Sequence, residues 1–153
     1  MKETPVKMTG KKNLIVEEYA RMWPREVFDC LITSETSRRK KMLAKGLDLI
    51  DQPGVYVVYR DDIPYYIGQA TRLRQRLWAH AGSAGGRYCN FWNYFSAFVI
   101  REPKMRDEIG GILIAAMPTA NSAKPRLKRA KFPHVVRQMV RRIRRYRANP
   151  LNK

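Results

Sequence analysis

The stretch Gly54-Val55-Tyr56-Val57-Val58-Tyr59-Arg60-Asp61-Asp62-Ile63-Pro64-Tyr65-Tyr66-Ile67-Gly68-Gln69 decides the fold. Residues 54–60 are β-branched and aromatic, Asp61-Asp62 with Pro64 mark a turn, and residues 65–69 resume strand composition, so the whole reads as a β-hairpin. Working outward, Thr71 caps a helix reaching about Ala81, with Leu73, Leu77 and Trp78 as its buried stripe. A glycine-rich loop over 82–86 ends that helix. Residues 94–100 read as a third strand, and Pro103 opens a second helix over 104–117 that Pro118 stops. Gly110-Gly111 in mid-helix costs about 1 kcal/mol per glycine relative to alanine; packing against the sheet is the expected reason, and room for a nucleic-acid backbone is the alternative.

On the N-terminal side, residues 1–12 are polar and Lys-rich and read as a loose terminus. Short helices follow: Asn13 caps one over 14–22, Pro24 opens one over 25–31, and Ser37 caps one over 38–44, with Gly46 as a stop. The expected class is α+β, a small three-stranded antiparallel sheet flanked by helices. The chain divides into a helical lead-in over 1–51, a core over 52–121 and a basic tail over 122–153. There is no internal repeat and no Walker or dinucleotide glycine pattern.

Thirty-one Lys and Arg against thirteen Asp and Glu give 153 residues a net charge of +18, which points to a polyanionic partner. No acid follows Glu108, and residues 122–153 hold twelve of the cations, leaving the rest of the chain at +6. Cys30 and Cys89 form neither a metal-like spacing nor a disulfide framework. No apolar run is long enough to span a membrane, the longest being 109–117. The expectation is a soluble, cytoplasmic protein with reduced cysteines.

Tyr56 and Tyr66 lie ten residues apart, and Arg76, His80, Glu108 and Asn121 follow in order. On Gly54-Val55-Tyr56, Tyr66-Ile67-Gly68 and that series, the chain resembles the GIY-YIG nucleases over about 52–121. The resemblance implies metal-dependent hydrolysis of phosphodiester bonds, in DNA first and RNA as the alternative. Mg2+ or Mn2+ is the implied cofactor, with Glu108 as its ligand. Magnesium often takes one or two protein carboxylates and fills its other sites with water and phosphate, so a solitary glutamate suffices. Glu102 and Asp107 read as solvated helix charges.

Arg76 falls where the family's arginine meets the scissile phosphate, and its planar fork suits that contact. Arg72, Arg76 and His80 share one helix face at a spacing of four. His80 is open as general base, phosphate ligand or proton shuttle. Asn121 matches the motif's terminal asparagine and reads as an organiser of backbone, with substrate contact open. Either tyrosine can activate water, Tyr56 first and Tyr66 then positioning, although sequence does not establish that the two face together. Some family members carry a lysine three residues past the second tyrosine; here it is Gln69, which shifts weight toward a metal-activated nucleophile.

Arg72 and Arg74, with Lys124, Arg126, Lys128 and Arg129, are candidate phosphate contacts. Residues 135–147 then read as an amphipathic helix. Its stripe is Val136, Met139, Val140 and Ile143, and Arg137, Arg141, Arg144 and Arg145 lie largely elsewhere. The stripe implies docking on the core or on a partner. The competing class is a non-catalytic nucleic-acid-binding protein on the same scaffold. One active site cuts one strand, so cutting both strands of a duplex calls for a dimer or two encounters.

Overall fold

The structure, a computed structural model, describes residues 14–28, 30, 38, 41, 45, 47–82 (backbone only at 81 and 82) and 91–148. Its elements are β1 (Tyr19–Pro24), a 3-10 turn (Asp48–Asp51), β2 (Gly54–Arg60), β3 (Ile63–Ala70), α1 (Leu73–Gly82), β4 (Tyr94–Val99), α2 (Pro103–Ala116) and α3 (His134–Ala148). The α+β class holds, but the sheet has four antiparallel strands, in the order β1-β4-β2-β3, and not three.

The added strand is a correction to the lead-in. Residues 14–22 form no helix, and Tyr19–Pro24 instead pairs with β4. Val99 explains the outcome: its N–H donates to Glu18 and its carbonyl accepts from Glu17, so β4 finds partners on its outer edge. Pairing of this kind is tertiary and overrides a weak helical preference. Pro24 ends the strand, where a missing N–H costs nothing at an edge. Met22 (φ 53) sits in a bulge between Ala20 and Trp23, its N–H satisfied by Ser96 Oγ at 3.1 Å. Helical positions do occur at 27, 28 and 30, and Phe28 there is buried. Residues 1–13, the cap at Ser37, the stop at Gly46, loop residues 83–86 and Cys89 lie outside the described residues, as does most of 38–44.

The hairpin turns through Asp61-Asp62. Asp61 is left-handed (φ 57), which aspartate tolerates better than most residues, and Asn93 ties the turn with hydrogen bonds of 2.7 and 2.9 Å to Asp61. Tyr56 pairs with Gly68 and Val58 with Tyr66. The two pairs lie two positions apart on each strand, so Tyr56 and Tyr66 share a face. Pro64, expected in the turn, belongs to β3 and pairs with Tyr59, leaving Tyr65 as the extra residue of a bulge.

Each face of the sheet carries its own core. On one, Leu73 and Leu77 of α1 pack with Tyr56, Val58, Phe95 and Val99. Both leucines are fully buried, a contribution of about 1.5–3 kcal/mol each. Trp78, expected in that stripe, is 39% exposed and meets Phe28 edge-on. On the other face, Met105, Ile109, Leu113 and Ile114 of α2 cover Val55, Val57 and Ile67. Glu102 caps α2 by accepting from Lys104 N–H at 3.4 Å, so it is not merely a solvated charge. No helix among the described residues is long and apolar enough to cross a membrane.

Candidate active site

β3 lies at the end of the sheet, with α1 on one side and α2 on the other, and a cleft of about 690 Å³ runs along it. Tyr56, Tyr66, Arg76, Glu108 and Asn121, far apart in sequence, all line this cleft. The two motif glycines show why a side chain is absent there. A methyl at Gly68 would overlap the phenol of Tyr56, and one at Gly54 would strike the carbonyl oxygen of Phe98.

Tyr56 is fully buried, and its hydroxyl lies 2.8 Å from Nε2 of His80. Tyr66 is half-buried; its ring centroid is 6.4 Å from that of Tyr56 and 5.8 Å from the His80 ring. The three rings form one cluster. Burial, and after it the Arg76 guanidinium, holds His80 below the ordinary histidine pKa. The neutral imidazole is thereby favoured, and its Nε2 can accept a proton when the ring's own proton is on Nδ1.

Arg76 is exposed toward the cleft, while Arg74 in the first turn of α1 and Arg72 just before it meet Asp51 instead. Arg74 meets Asp51 of the 3-10 turn at 2.9 Å, and Arg72, mostly exposed, lies 3.9 Å from the same carboxylate. A spacing of four does not by itself put Arg72 and Arg76 to the same use.

Asn121 donates from Nδ2 to the Ile67 carbonyl at 2.7 Å and accepts at Oδ1 from the Ile67 N–H at 2.9 Å. With Ala120 N–H bonded to the Tyr65 carbonyl, it covers the open edge of β3. Both ends of its amide are therefore engaged with backbone.

Glu108 is exposed in the cleft. Its neighbour Asp107 accepts from Gln69 Nε2 at 2.6 Å, a bond between α2 and β3. No cluster of three or more His, Cys, Asp or Glu suited to a metal exists among the described residues. Glu108, a single carboxylate in the cleft, suits a hard cation that brings most of its shell as water and phosphate.

Sequence reasoning missed the strap that follows Asn121. Lys124, Pro125, Arg126 and Leu127, expected to open a separate tail, line the same cleft. Gly110 and Gly111 also line it, and neither needs to be glycine for close approach to the sheet: a methyl at Gly110 meets nothing within 4 Å, and one at Gly111 meets Pro125 and Leu127. The stripe of α3 is not docked on the core either, since α3 has no buried residue. Lys128, Arg129, Arg137, Arg141, Arg144 and Arg145 are all exposed.

No protein-family model matches the chain. No curated protein matches it. Among solved structures, it is similar to the GIY-YIG N-terminal endonuclease domain of UvrC from Thermotoga maritima. A point mutant of that domain bound to the catalytic divalent cation is 22% identical, at a TM-score of 0.44 over 56% of this chain and 98% of that one. The magnesium-bound domain is 25% identical, at a TM-score of 0.40 over 50% and 89%. The structural neighbours of this chain are thus GIY-YIG endonuclease domains.

Proposed function

We propose that the protein is a divalent-metal-dependent endonuclease that hydrolyses phosphodiester bonds in DNA. The observation that carries the reading is the convergence of Tyr56, Tyr66, Arg76 and Glu108 on one cleft. Glu108 would hold a magnesium or manganese ion, which when bound supplies Lewis-acid neutralisation of charge on the phosphoryl oxygens.

The chain's own residues supply the rest. Arg76, exposed and without an ion pair to Asp51, faces the phosphate and stabilises the negative charge that grows on it as water attacks and the P–O bond to the leaving oxygen breaks. Of the two phenols, Tyr66 has exposed surface in the cleft, so it takes the water-facing role that sequence reasoning assigned first to Tyr56. Tyr56, buried and bonded to His80, positions the ring cluster from behind. Asn121 keeps β3 in place.

The test is incubation with supercoiled plasmid in magnesium, in manganese and in chelator, scoring nicked against linear product, with RNA alongside. Tyr66→Phe should lose more turnover than Tyr56→Phe; the reverse order returns the water-facing role to Tyr56. Absence of cleavage with either metal on either substrate would leave a binding protein on this scaffold.

A further inference from the structure

Glycine is the poorest helix former after proline, yet two lie side by side in α2. Close packing does not explain Gly110: it is buried, but a methyl there would still meet nothing within 4 Å. Gly110 and Gly111 instead line the cleft, to which Ile114, Pro125 and Leu127 add apolar surface, the last two beside Gly111. The lining of the same cleft carries four cations, Arg76, Lys104, Lys124 and Arg126, against the two carboxylates of Asp107 and Glu108.

An apolar recess in a cleft with excess positive charge matches the two halves of a nucleotide. The phosphates face the cations, and the flat base lies against the two glycines. A base that is paired and stacked in duplex DNA cannot reach such a recess, so the recess selects a base already out of the stack. Resting on the nuclease reading for the identity of the cut phosphate, we infer that the Gly110-Gly111 compartment receives one unpaired base beside that phosphate. The preferred DNA then carries an unpaired nucleotide at the site.

The experiment measures binding in chelator, by fluorescence anisotropy, so it does not depend on cutting. Three DNAs share one sequence: a fully paired duplex, the same duplex with one bulged adenine, and the same with an abasic bulge. The wild-type protein should bind the bulged adenine about tenfold more tightly than the paired duplex, because the penalty for extracting a base is already absent. The abasic bulge should lose most of that gain, which separates recognition of the base from recognition of a bend. Gly110→Met fills the recess from a position whose Cβ touches nothing, and should bring affinity for the bulged adenine down to that for the paired duplex, with the melting temperature showing that the variant is folded. Equal wild-type affinity for adenine and abasic bulges, or a full preference retained by Gly110→Met, would overturn the proposal. Failure to cleave plasmid would instead count against the nuclease reading and leave this comparison intact.

Discussion

The phenol of Tyr56 lies across Gly68, its register partner on the neighbouring strand, in the space a side chain at 68 would occupy. A glycine in one motif thus fixes the place of the tyrosine in the other, and with it the 2.8 Å contact to His80. Gly68→Ala forces ring or backbone to move and should destabilise the protein by about 1–3 kcal/mol, the usual cost of overpacking a closed site. Urea denaturation checks it. Gly110→Ala, where there is room, should stabilise by up to about 1 kcal/mol through helix propensity.

Arg76 and Arg74 are two residues apart and should behave differently. Arg76→Ala should lower turnover by about 10²-fold or more with affinity little changed, as removal of a transition-state contact does. Arg74→Ala removes an ion pair with Asp51 that is about one-third exposed, and should cost at most about 1 kcal/mol of stability with turnover retained. Single-turnover rates beside denaturation curves separate the two effects. Equal losses of turnover would take the transition-state role away from Arg76.

His80 gives a pH dependence of known sign. Its pKa is depressed in the fold, by burial first and Arg76 second, so between the folded and unfolded values the unfolded chain binds more protons. The contribution is fully present above the ordinary histidine value and is lost as pH falls through the folded one. Urea midpoints measured from about pH 7.5 to about pH 5.5 should fall more steeply for wild type than for His80→Gln. Identical profiles would mean that the histidine is not held neutral.

The hairpin and the two core helices were legible because period, turn residues and helix breakers are local signals. β1 was not, because its pairing with β4 cannot be seen from within residues 19–24. The sharing of a face by Tyr56 and Tyr66 was open until the two-residue turn and the bulge at Tyr65 set the register. Gly68 could be read as a motif letter, but its reason needs the cross-strand partner. The strap at 124–127 was hidden in an irregular, charged segment, and only its packing beside Gly111 reveals it as a wall of the site.

The arginines of α3 are exposed and no acid interrupts them. Each phosphate contact adds about 0.9 to the slope of log affinity against log salt on duplex DNA, so replacing Arg137, Arg141, Arg144 and Arg145 by glutamine should flatten that slope by up to about 3.6. A salt titration on one duplex measures it. An unchanged slope would remove α3 from the nucleic-acid surface and assign its exposed stripe of Val136, Met139 and Ile143 to another partner.

On the proposed function, Glu108 makes this cleft a metal-dependent cutter of DNA. The most direct measurement is the initial rate of plasmid nicking by wild type and by Glu108→Ala across a magnesium titration, with plasmid affinity measured in parallel. The account predicts nicking by wild type that rises with magnesium and vanishes in chelator, and a Glu108→Ala protein that binds as well but cuts at least about 10²-fold more slowly. Wild-type cleavage undiminished by chelator, or full activity in Glu108→Ala, would contradict it.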